Sequence, residues 1–244
     1  MYKRQISKRE EVIWLVGYSA IVLNEAGKRI SDDFLCHNNL DLYDGNTLPW
    51  KSSSKNSFER LFTLTAGQTN IRLPHGTGIP VTGNTTLAIS SQALNHNYPD
   101  TTLSTRQKVT VYYVRESECE GKMKALEQKA IFVTKKINDI SEPTSVKAKG
   151  SEHLSCVNTD AGDPISPTYK DSTGFRLTGH WNLSPGREEI LADVTHLLDL
   201  RKDNRIYYVG VHVHPFSQTL ALEKTSSAET IFSARNTNLS LIHI

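Results

Sequence analysis

The sequence is poor in most features that would place it at once. It has three cysteines, Cys36, Cys119 and Cys156, and two methionines, Met1 and Met123. Three cysteines allow at most one intramolecular disulfide, with its pairing open, and leave one thiol over; without any CxxC or CxxCH, zinc ribbons and covalently attached haem are excluded. Long apolar runs are missing too. The longest, Val12–Leu23 (VIWLVGYSAIVL), falls well short of the roughly 20 residues a spanning helix needs, so no membrane span is expected. An excess of one charge is also lacking: Lys and Arg number 28 against 26 Asp and Glu, a formal charge of +2, which gives no field for gathering nucleic acid. Extended helical periodicity is nearly absent.

What remains is sufficient for a folded core. Nine Tyr, seven Phe and three Trp in 244 residues, with 37% hydrophobic residues, exclude wholesale disorder. The apolar residues fall in short β-like runs punctuated by Gly, Pro, Asn and Asp: Val12–Leu23, Phe34–Leu42, Leu61–Leu64, Leu87–Leu94, Val109–Val114, Arg205–His214 and Thr219–Leu222. Val12–Leu23 reads as a buried strand rather than the apolar core of a signal peptide. Glu10 and Glu11 stand where a basic region would lead in, and Asn24 and Gly27 mark a following turn. Many short strands between turn signals predict an all-β sandwich or barrel. From Ser117 to Thr173 the texture turns to Lys, Glu, Ser, Asp and Pro, which predicts a linker or elaborated connection. One segment carries two readings: in REEILADVTHLLDL, Ile190, Leu191, Val194, Leu197 and Leu198 fall at helical spacing, whereas Val194-Thr195 after a Pro185-Gly186 turn suits a strand.

The sharpest chemical feature is YYVGVHVH. Read as a strand, Tyr207–His214 puts Val209, Val211 and Val213 on one face and Gly210, His212 and His214 on the other. Two residues along a strand are roughly 6.6–6.8 Å apart, close enough for both rings to converge on one ion. The plain alternative is two solvent-facing histidines on a half-exposed strand. Of the seven other histidines, His75, His153 and His196 sit in turns or among charges and read as surface residues. His37, within FLCHNNLDL, and His96, at the end of TLAISSQALNHN, fall at positions where strand ends are expected.

Taken in order, these motifs resemble the copper type II, ascorbate-dependent monooxygenases, the family of the peptidylglycine alpha-hydroxylating and dopamine beta monooxygenases. In that family a jelly roll carries a His-His pair, then a Pro-x-Gly-x-Gly turn and a strand ending in a third histidine. FLCHNNLDL, LPHGTGIPVTGNTTLAISSQALNHN and VTVYYVR follow that layout, with His37 and His96 at ligand positions. A second jelly roll opens with a Pro-Gly turn and leads to a His-x-His pair, which SPGREEILADVTHLLDLRKDNRIYYVGVHVH resembles with His212 and His214. The resemblance implies two jelly-roll-like β-sandwich domains, residues 1–116 and an incomplete 174–244, joined by 117–173, and it reads REEILADVT as a strand.

The resemblance further implies a protein that hydroxylates a C–H bond of a small molecule or peptide with O2. His37 and His96 would hold an electron-transfer copper, His212 and His214 an oxygen-activating copper, and ascorbate or a similar reductant would supply single electrons. A secreted or periplasmic location goes with the family. Two departures stand out. Where the family has adjacent histidines this chain has Cys36-His37-Asn38, so Cys36 or Asn38 would have to compensate. The family's methionine ligand downstream of the His-x-His pair has no counterpart, since neither Met1 nor Met123 fits, so the chain is expected to be a fragment and an incomplete enzyme. Two other readings stand beside this one. The first is a non-catalytic copper-binding or structural jelly-roll module, favoured by the missing histidine. The second is a cupin-like metalloprotein in which Gln218 follows His214 at ligand spacing.

Overall fold

The buried strand expected at Val12–Leu23 is the central strand of a five-stranded sheet. The structure, a computed structural model, describes residues 2–43, 59–95, 102–136, 169–170, 176–178, 185–198, 205–213 and 217–236. The chain forms two compact units, Met1–Lys55 with Glu59–Gln128 and Ile206–Ile244, and Asn56–Phe58 with Lys129–Arg205.

The first unit holds β1 (Tyr2–Gln5), β2 (Val12–Asn24), β3 (Leu35–Leu42), β4 (Glu59–Leu64), β5 (Asn70–Arg72), β6 (Thr77–Thr82), β7 (Thr86–Ala93), β8 (Thr105–Arg115) and β9 (Lys124–Ala125). One antiparallel sheet runs β1-β7-β3-β4. In the other, β2 pairs with β8 along most of one edge; on the other edge its first half pairs with β6 and Gly17–Ser19 with β5. A two-residue parallel pairing adds β9 to β6. Gly17 matters for this arrangement: a Cβ there would stand 2.6 Å from the Ile71 carbonyl oxygen, so only glycine lets β5 lie so close.

The inner faces of the two sheets make one core. Ile13, Leu15, Tyr18, Ala20 and Val22 of β2 meet Leu35, Leu40 and Leu42 of β3, Leu61, Phe62 and Leu64 of β4, and Ile71, Ile79, Val81 and Leu87. Tyr18 stacks on Phe62 with ring centroids 5.9 Å apart. Its hydroxyl donates to Asn38 Oδ1, and Asn38 Nδ2 donates to Gln107 Oε1 at 2.6 Å, so a polar chain crosses the core with its groups satisfied. Fully burying one such leucine stabilises by about 1.5–3 kcal/mol, so the sandwich rests chiefly on this apolar contact. The protein is all-β, as expected.

In the second unit β10 (Lys135–Lys136), β11 (Tyr169–Lys170) and β12 (Arg176–Thr178) form an antiparallel sheet in the order β10-β12-β11. Its helix, α1, is one turn, Thr195–Leu198, begun by Asp193 Oδ1 accepting the Thr195 N–H at 2.9 Å. Helical spacing over Ile190–Leu198 predicted more. Leu191 is 82% exposed, so no apolar stripe is buried there to extend the helix, and residues 187–194 are not a strand either. The first unit also contains a hairpin of β13 (Thr219–Lys224) and β14 (Glu229–Arg235) with a bulge at Leu222/Glu223. Among the described residues no helix is long and apolar enough to cross a membrane.

Candidate metal centre

The site starts from a break in strand regularity. In the pairing of β3 with β7, Leu35 lies opposite Ala93 and His37 opposite Gln92, so Cys36 is an inserted residue and the strand bulges there. Consecutive residues of a regular strand point to opposite faces, but a bulge re-aims one of them. Cys36 and His37 can therefore present both side chains to one place.

That place is completed from residues 205–213. One ligand atom each from Cys36, His37 and His212 all lie within 4.8 Å of one another. The His37 and His212 rings are 5.7 Å apart at their centroids and tilted by 49°. Cys36 is buried, His37 half-buried with its Nδ1 enclosed, and His212 exposed, so the cluster runs from the sandwich interior to solvent. One thiol and two imidazoles at this spacing could hold a metal ion.

A turn explains why His212 lies there. Thr65 and Gln68 exchange backbone hydrogen bonds, Gln68 N–H to Thr65 O at 3.0 Å and Thr65 N–H to Gln68 O at 3.3 Å, around Ala66 and Gly67. Gly67 has φ +84°, a conformation that tight turns assign to glycine. The Ala66 N–H donates to the Leu35 carbonyl at 3.2 Å, which ties the turn to the residue before Cys36. From the same turn, Gln68 Oε1 accepts the Val211 N–H at 2.9 Å, and Thr65 Oγ1 donates to the Val211 carbonyl at 3.3 Å. Gln68 Nε2 also donates to the Tyr208 hydroxyl at 3.1 Å. Burial holds that phenol above its ordinary range, so it stays neutral and able to accept. Lys124 Nζ meets the Tyr207 hydroxyl further along.

Arg205–His214 was expected as a strand; its described part, residues 205–213, is not one, and His214 lies outside the described residues. Its hydrogen bonds near His212 go to side chains of the turn, not to a neighbouring backbone ladder. The expected alternation survives in exposure: Tyr207, Val209, Val211 and Val213 are half-buried, and Tyr208, Gly210 and His212 exposed. Gly210 does not clear space for the site, since a Cβ there would make ordinary contact, 3.6 Å from Gln68 Oε1.

Asn38, a candidate auxiliary ligand, is fully buried, with its amide engaged by Tyr18 and Gln107. Gln218 is exposed at the foot of the β13–β14 hairpin, where its carbonyl accepts the Asn236 N–H at 2.9 Å. His75 lies exposed in a turn, as expected. Cys119 is a half-buried thiol donating to the Arg115 carbonyl at 3.3 Å. His96, His214, His153 and Cys156 lie outside the described residues. Sequence reasoning named Cys36 only as an auxiliary and missed Thr65 and Gln68. In comparisons with known proteins, no family model and no curated protein matches the chain.

Proposed function

We propose that the protein is a copper-binding redox protein of monooxygenase type, holding an ion through Cys36, His37 and His212. The observation that carries this reading is the convergence of those three donors. A thiolate with two imidazoles suits copper, and a His2Cys set is the donor composition of single-electron copper sites. When bound, copper would supply one-electron chemistry by cycling between Cu(I) and Cu(II). The chain's own part is to bury the Cys36 sulfur, whose proton would leave to solvent when the metal binds, to hold His37 on β3, and to leave His212 open to solvent. The resemblance to copper type II monooxygenases supports C–H hydroxylation with O2 and a reductant such as ascorbate, on a small-molecule or peptide substrate, in a secreted or periplasmic setting.

A second reading, a non-catalytic copper-binding module, is favoured by one observation. His37 and His212, which the resemblance assigns to different coppers, are close enough to share one ion. Copper content, electron paramagnetic resonance after Cu(II) loading and oxygen-electrode traces with ascorbate test both readings. One equivalent of copper is expected, lost in His37→Ala/His212→Ala. Full retention of copper by the double variant overturns the site, and a strong preference for zinc overturns the metal. Tight copper without ascorbate-dependent oxygen uptake selects the non-catalytic module.

A further inference from the structure

The elements that bring His212 to Cys36 and His37 are side chains of one turn, and this makes the site's assembly a separable event. We propose that Gln68 is a positioning residue for metal binding: it docks residues 208–211 so that His212 completes the cluster, and the bound ion in turn fastens that segment to β3. The inference rests on the metal-site reading above and deepens it.

Three observations support it. First, the backbone residue next to His212 is held on both sides, its N–H by Gln68 Oε1 and its carbonyl by Thr65 Oγ1. Second, Gln68 uses its amide nitrogen as well, on the Tyr208 hydroxyl, so a single side chain fixes the segment at two points three residues apart. Third, the turn that carries Gln68 is bonded through Ala66 to Leu35, the residue before the bulge that aims Cys36. Both halves of the donor set are thus registered to residues 65–68. Of the two clamping side chains Gln68 is the stronger, because the Thr65 hydroxyl has one proton and divides it between Val211 and the Ala66 carbonyl, each at 3.3 Å.

Groups that orient metal ligands from outside the coordination sphere typically change affinity by about 10- to 100-fold when removed. The test uses the full chain with Cu(I) alone, titrated against a colorimetric Cu(I) chelator, and with Co(II) as a spectroscopic stand-in whose absorption reports the donors. Gln68→Ala should weaken Cu(I) binding by about tenfold and give a Co(II) spectrum like that of His212→Ala. Gln68→Glu should restore both readouts, because a carboxylate still accepts from the Val211 N–H and can accept from the Tyr208 hydroxyl. If Gln68→Ala loses its fold, Gln68→Met keeps the length of the side chain without its hydrogen bonds and takes its place. Wild-type affinity and an unchanged Co(II) spectrum in the folded variant overturn the positioning role while the site stands. A wild-type chain whose binding is indifferent to His212→Ala overturns the site itself.

Discussion

Asp41 shows how single residues set the conditions under which the sandwich holds. Its carboxylate is buried on β3 and bound by Arg60, Nε to Oδ1 at 2.9 Å, while the Arg60 side chain stays 45% exposed. Burial raises the Asp41 pKa above the ordinary 3.8, and Arg60 offsets part of the rise by stabilising the charged form. The folded state therefore binds this proton more tightly than the unfolded chain does. The resulting stabilisation is present below 3.8 and is lost as pH climbs through the raised value. Asp41→Asn should flatten that part of the stability profile and be neutral or stabilising at neutral pH, within about 1 kcal/mol. Arg60→Ala should cost about 1–2 kcal/mol there, less than the roughly 3–5 kcal/mol of a fully buried pair because Arg60 is half in water. Urea midpoints at several pH values check both. A profile for Asp41→Asn identical to wild type in slope would refute the assignment. Tyr18, facing the same charge from β2, is pushed up by burial first and Asp41 second, so it remains a neutral donor to Asn38.

Among elements, β5 is the one through which core packing reaches the proposed metal centre. It follows the Thr65–Gln68 turn directly and lies on β2 at Gly17. Gly17→Ala would drive a methyl into the Ile71 carbonyl and the Arg72 side chain, so β5 must shift outward. The expected cost is about 1–3 kcal/mol, the range of overpacked interiors. Copper binding should weaken with it, because Gln68 moves with the strand. Denaturation midpoints and Cu(I) competition measured on the same samples check this, and a destabilised variant with wild-type copper affinity would separate β5 from the site.

The strands β2, β3, β4, β7, β8 and β13 were legible in the sequence because alternating or continuous apolar runs marked them. Two of the missed strands have a plain cause. TGIPVT, which is β6, carries Pro80, a residue that argues against a strand; it lies opposite Trp14 on an outer strand, beyond the two residues that β9 covers. YKRQ, which is β1, is an exposed edge with no apolar pattern to read. At the site, the His-x-His motif announced His212, but the bulge that aims Cys36 leaves no trace in alternation. The clamp on Val211 is made by side chains distant in sequence, so the segment read as a strand when it is a docked stretch of irregular chain.

For the whole molecule, a metal that joins β3 to residues 205–213 ties distant stretches of the first unit to one ligand. A ligand that binds only the folded state stabilises it by mass action, about 2.7 kcal/mol at a hundredfold excess over the dissociation constant. Copper should therefore raise the melting temperature of the wild-type chain and leave that of His37→Ala/His212→Ala unmoved, which calorimetry reads directly.

The bulge at Cys36 has a consequence for how such a centre is inherited. Excising that one codon leaves Leu35 opposite Ala93 and His37 opposite Gln92, the same partners in an unbroken ladder. The pairing of Asn38 with Leu64 and the Ala66 tie to Leu35 also come into step, since the two steps from Leu35 to Asn38 then face the two from Leu64 to Ala66. A sulfur donor can thus be gained or discarded by a single insertion or deletion, with no compensating change elsewhere in the sandwich. At the proposed site, a two-imidazole centre and a thiolate centre would differ by one inserted residue.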